Sequence, residues 1–229
     1  MDKQKRLTVI LGTAHGKNVA GKRSPDGIFQ EWQYSREIVE QLRAELTGQA
    51  QNVDVFVDIP CAVVPYPQQA ELTRRVRYVN QLCAHRHTER CIYVSIHVDA
   101  ASSDGEWKTA GGWTAYTSPG RTRSDILATY LYEAAEKHLA GYAAKMEEGK
   151  KKGQYGQNQK PFRKDTSDGD PDKEANFYVL TRTKCAAVLT ENLFMDNKAD
   201  VAFLTSEEGK KAIVALHKEA IMRFAEHNI

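Results

Sequence analysis

Short apolar runs that alternate with longer amphipathic stretches constrain this chain more than any other feature. "LTVIL" (Leu7–Leu11) reads as a buried strand, and residues 13–30, rich in glycine, lysine, serine and proline, read as a loop. From Glu31, "EWQYSREIVEQLRAEL" sets Tyr34, Ile38, Leu42 and Leu46 at i, i+4, i+8 and i+12, the stripe of a helix buried on one side. "VDVFVDI" (Val53–Ile59) alternates as a strand does. A second helix runs from "PYPQQA" through "ELTRRVRYVNQLCAH", and "CIYVSIHV" at 91–98 is the next strand. This order predicts an α/β fold, a mostly parallel twisted sheet with helices on both faces.

The second half continues the pattern with one interruption. "GWTAYT", opened by Gly111-Gly112, predicts a strand. A helix follows from about Ser124 to Leu139, with Ile126, Leu127, Tyr130, Leu131, Ala134 and His138 on one side. Residues 145–175 are polar and turn-rich, which predicts a long loop or lid. "FYVLTR" and "CAAVLT" read as two short strands, and the last helix carries Ile213, Leu216, Ala220 and Phe224 as its packing face. Core-type sequence resumes after the polar stretch and nothing repeats, so residues 1–229 are expected to form a single domain.

Lysine and arginine total 32 against 30 acidic residues, a net charge of +2, which excludes a general pull toward nucleic acid or anionic membranes. The basic start precedes only five apolar residues, too few for a signal peptide, and no stretch approaches the ~20 apolar residues of a membrane span. The expectation is a monomer that is cytoplasmic as synthesised. Cys61, Cys83, Cys91 and Cys185 are sparse and irregular, which predicts free buried thiols.

Two histidines sit where α/β folds build sites. His15 lies in the turn "GTAHG" after the first strand, where small residues let a ligand approach the backbone. His97 ends the strand "IYVSIHV". Each could equally be a satisfied core histidine. Glu31 starts the first helix three residues before Tyr34, so it points along the buried stripe. It is either a favourable charge in a first helical turn or a metal ligand, since two imidazoles and a carboxylate are a common set for catalytic zinc. Glu191 follows the apolar strand "AAVLT". It is either paired with an arginine or, unpaired, a general base with a raised pKa.

Taken in order, "HG" at 15–16, Glu31, "SIHVDA" at 95–100 and "AVLTENLFMDN" at 187–197 resemble the zinc-dependent N-acetylmuramoyl-L-alanine amidases of the Amidase_3 type. "LTRRVRYVN", with Arg75 and Asn80, resembles that family's second helix, and the likeness spans nearly the whole chain. It implies Zn2+ held by His15, Glu31 and His97, with Glu191 as catalytic acid/base. It also implies peptidoglycan as substrate, cut at the amide between N-acetylmuramic acid and L-alanine. In the first turn, Gly12-Thr13-Ala14 stands where the family has Asp-Pro-Gly, which leaves open what orients His15. The alternatives are a zinc peptidase or other amide hydrolase using the same ligands, and a non-catalytic wall-binding module. With no leader visible, a phage-type lytic enzyme or a chain without its leader is the expected setting, acting on the cell wall.

Other clusters read as structural. Cys83, His85, His87 and Cys91 fit no common zinc spacing. Lys150–Lys152, Lys160, Arg163 and Lys164 read as a solvated loop. Trp107 and Trp113 suit either sugar stacking or core packing, and His138, His217 and His227 carry no assigned role.

Overall fold

Parallel pairing of the three strands in the first half sets the frame. The computed structural model of the protein describes residues 6–49 and 52–227; the basic start of the chain lies outside them. β1 (Leu7–Thr13), α1 (Glu31–Gln49), β2 (Val53–Val57), α2 (Gln68–Arg86) and β3 (Cys91–Asp99) follow in the expected order. Then come β4 (Thr114–Thr117), α3 (Arg123–His138), α4 (Ala140–Lys151), β5 (Lys173–Glu174) and α5 (Tyr178–Arg182). β6 (Ala186–Phe194), α6 (Lys198–Thr205) and α7 (Glu207–His227) complete the fold. The sheet order is β2-β1-β3-β6-β4-β5. β1, β2, β3 and β6 run parallel, β4 lies antiparallel on β6, and β5 pairs with β4. This is the α/β architecture that the alternation predicts.

Period-two alternation divides the strands between two layers. Leu7, Val9 and Leu11 of β1, with Ile92, Val94 and Ile96 of β3, pack under α1, α3 and α7. The α1 stripe is buried as expected, each residue contributing about 1.5–3 kcal/mol relative to exposure. Ile213, Leu216, Ala220 and Phe224 of α7 are buried too. On the other face Ile10, Tyr93 and Leu189 meet Val76 and Val79 of α2 and Val179 and Leu180 of α5. Because α5 has only five residues, it leaves the carboxyl ends of β1, β3 and β6 open on that side.

Several local expectations are corrected. "FYVLTR" forms α5, not a strand: the central edges of the sheet are already paired, and a helical turn lets the adjacent Val179 and Leu180 both bury. The α3 face is rotated by about one residue, burying Ala128, Tyr132 and Ala135 while Ile126 is exposed. The 145–175 stretch is not one loop. Residues up to Lys151 belong to α4, and the following strap is docked, with Trp113 N donating to Pro161 O and Arg163 N to Trp113 O. Tyr155 is buried and bonds Asp200. Among the cysteines, Cys61 is exposed; the other three are buried and free. No helix among the described residues is long and apolar enough to cross a membrane.

Candidate active site

Glycine spacing explains the first turn differently from the sequence expectation. A side chain at Gly12 would strike the Tyr93 hydroxyl, and one at Gly16 would strike Val64. The small residues of "GTAHG" therefore make room for the protein's own side chains. His15 follows in the left-handed region, φ 39°, where a non-glycine residue needs support from its surroundings. Arg36 and Arg75 supply it, donating from Nη2 to the His15 carbonyl at 2.9 and 3.3 Å.

Behind that turn lies a buried ion network that supports the turn's backbone. Asp58, just past β2, accepts from Thr13 N at 3.0 Å, from Arg75 Nη1 at 2.6 Å and from the Tyr93 hydroxyl at 2.9 Å. Arg75 also binds Glu71 at 2.8 Å. Asn80 clamps α2 to the β6 approach, donating to Arg182 O and accepting from Lys184 N.

Glu31, His15 and His97 converge. Glu31 is buried at the start of α1, its Oε1 accepting from Val98 N at 3.2 Å and lying 3.2 Å from His97 Nδ1. Its Oε2 lies 3.6 Å from His15 Nε2 and has no hydrogen-bond donor. The two imidazole rings meet edge to face with centroids 5.4 Å apart, and Ser95 Oγ shares a hydrogen bond with His97 Nε2 at 2.9 Å. One ligand-capable atom from each of the three residues lies within 4.8 Å of the others, and among the described residues no other such group forms. Cys83 and Cys91 are buried in the sheet core while His85 and His87 are exposed, so that cluster does not assemble.

Burial pushes both imidazole pKa values down to about 3, opposed at His15 by Glu31 and reinforced by Lys22 and Arg75. Burial pushes Glu31 the other way, above the usual carboxylate range. Two neutral imidazoles and a carboxylate with an unmatched oxygen are a donor set suited to a cation.

Glu191 stands opposite His97 in the β3–β6 register, on the same face. Its Oε2 is shielded and has no partner, and burial, with Asp99 and Glu31 nearby, raises its pKa well above the usual range. The open end of this face forms a cleft of about 250 Å³ lined by His15, His97, Glu191, Leu72, Val179 and Lys22.

Sequence reasoning missed four contributors. Lys22 enters the cleft from the first loop with no motif to mark it. Asp99 binds Arg163 at 2.8 Å beside Glu191, so Arg163, expected in a solvated loop, ties the strap to the site. Ser95 was legible as the residue two before His97 on one face of a strand. Trp113 is wholly buried against Tyr132, its Nε1 donating to Asn192, so it is core and not a sugar platform. His217 is a satisfied core histidine, bonded to Thr190 and to Ile213 O.

The Amidase_3 sequence model, described as N-acetylmuramoyl-L-alanine amidase, matches residues 9–223. A search of curated protein sequences gives no match. Among solved structures, an N-acetylmuramoyl-L-alanine amidase from Clostridium difficile 630 superposes with TM-score 0.74 at 17% identity, covering 98% of this chain and 100% of its own. The CwlD amidase of Clostridioides difficile, solved with the GerS lipoprotein, gives 0.70 at 16% identity, covering 96% and 99%. The amidase Ami1 from Mycobacterium smegmatis gives 0.67 at 17%, covering 96% and 97%. At these identities the superpositions speak for the fold.

Proposed function

The chain belongs to the Amidase_3 family of N-acetylmuramoyl-L-alanine amidases, and from that premise we propose that it hydrolyses the amide joining N-acetylmuramic acid to L-alanine in peptidoglycan, using zinc held by His15, Glu31 and His97. The observation that carries the metal reading is the convergence of those three side chains within 4.8 Å. Three features support the fit to zinc. The donor set is two nitrogens and one oxygen, the imidazoles are neutral, and the buried Glu31 Oε2 lacks any other partner. A zinc ion bound there would acidify water and polarise the scissile carbonyl.

The protein's own groups divide the remaining work. Glu191, held opposite His97 with Oε2 unpartnered, takes a proton from the attacking water as the new C–O bond forms. Its raised pKa suits it to keep that proton. The same oxygen then returns the proton to the leaving L-alanine nitrogen as the C–N bond breaks. Lys22 on the cleft wall adds positive potential where charge develops on the carbonyl oxygen. Arg163, held on Asp99, keeps the strap beside Glu191.

Digestion of purified peptidoglycan, with and without a chelator, followed by mass analysis, tests this reading. The expected products are intact stem peptides beginning at L-alanine, released only without chelator. Cuts between amino acids would instead identify a peptidase. No products from zinc-loaded protein would overturn the hydrolytic reading.

A further inference from the structure

The segment that the cleft does not use carries its own chemistry. "DTSDGDPDKE", residues 165–174, brings the strap back to the sheet edge with five acidic side chains: Asp165, Asp168, Asp170, Asp172 and Glu174. Asp172 immediately precedes β5 and is 2% exposed. Its Oδ2 accepts from the Thr117 hydroxyl at 2.6 Å, while its Oδ1 is buried with no donor. Asp170 Oδ1 accepts from Asp172 N at 3.4 Å, which sets the Asp170 carboxyl against the same turn, and the charges acting on Asp172 are Asp170 and Asp125, both acidic.

The neighbouring groups are engaged elsewhere. Asp125 accepts from Thr122 in the cap of α3, and Glu174 accepts from Gly120 N at 2.7 Å. Arg121 donates to the Asp168 carbonyl, and the Lys173 ammonium lies 5.9 Å from the Tyr116 ring centroid. A buried carboxylate oxygen with no donor, in the same turn as a second carboxylate, is costly unless a proton or a cation is bound there. The donors are all oxygen and the backbone is a short turn-rich loop, which suits a hard ion of flexible coordination better than zinc or magnesium.

We infer that Asp170 and Asp172 bind a calcium-class divalent cation that fastens the returning strap to the β4 edge. Two side-chain carboxylates supply the charge, and water and loop carbonyls complete the larger shell such an ion accepts. The ion would fasten the returning end of the strap, as Arg163 fastens its middle to Asp99. This inference does not depend on the chemistry proposed for the cleft.

Titration of calcium chloride into the zinc-loaded protein at neutral pH, by calorimetry and by thermal melting, tests it. One calcium per chain is expected, with the melting midpoint rising by about 5 °C at a hundredfold excess over the dissociation constant and by less with magnesium. Asp170→Asn, at a half-buried position, and Asp172→Asn should each abolish the calcium heat. His15→Ala should retain it, which separates this site from the cleft. The inference fails if no heat appears up to about 10 mM calcium, beyond the weakest class of such sites. It fails equally if Asp170→Asn binds as the parent does, or if the midpoint responds to pH but not to calcium, the mark of a shared proton.

Discussion

Thr190 and Glu191 are neighbours on β6 and face opposite layers. On the closed side, Thr190 Oγ1 meets His217 Nε2 at 2.9 Å, and His217 Nδ1 donates to Ile213 O at 2.7 Å. That histidine is neutral, buried and satisfied, and burial holds its pKa down at about 4. One residue further on, Glu191 Oε2 has no partner; across the register lies His97, in contact with Glu31 of α1, whose Oε2 also lacks a donor. Burial by itself therefore does not distinguish a histidine that completes a core from one that lines the cleft. The acids beside it do, because an unmatched buried polar atom such as Glu31 Oε2 or Glu191 Oε2 is retained at a cost of about 1–3 kcal/mol.

The sharpest way to test the contrast is Glu191→Gln. Turnover should fall about 10²- to 10⁴-fold while zinc content stays unchanged, read by product release and metal analysis. Wild-type turnover would remove Glu191 from the proton transfer. Next in size is Leu131→Ala on the closed face, where the side chain is wholly buried in α3. Stability should drop by about 2–5 kcal/mol in denaturant titration, with kcat/KM per folded molecule unchanged. Activity lost ahead of stability would mean that the two faces are not separable.

The smallest effect concerns pH. Asp200, buried on the closed side, accepts from Tyr142 and Tyr155, and burial pushes its pKa up to about 7. The folded state thus holds this proton more tightly than the unfolded chain. Its contribution to stability is fully present below the unfolded carboxylate value near 4 and is lost as pH rises through 7, at most about 1.4 kcal/mol per pH unit. Asp200→Asn should flatten that slope in melts taken between pH 4 and 7; an unchanged slope would assign it to other acids, Asp172 among them.

The helix α1 stripe and the strand ends carrying His15 and His97 were legible because their signals are local and periodic. Glu31 was legible for the same reason, three residues from Tyr34 on one helical face. What was not legible depends on contacts distant in sequence. Arg163 looks like any lysine- and arginine-rich loop residue until Asp99, 64 positions away, is folded beside it. α5 carries strand-forming residues and is helical because the sheet has no edge left for them there. α6 is short, and its start is fixed by the Asn197 side chain capping Ala199 N and Asp200 N.

The sequence by itself determined the alternation of strands and helices, the buried stripe of α1, and the residue types from which a zinc-type site can be drawn. Periodicity and composition act over a few residues, so a one-dimensional reading captures them. Tertiary structure alone decided which acids are left unmatched, which histidine is satisfied, and which arginine guards the cleft. Those outcomes turn on whether a donor from another element reaches within about 3 Å, a distance that no local pattern encodes.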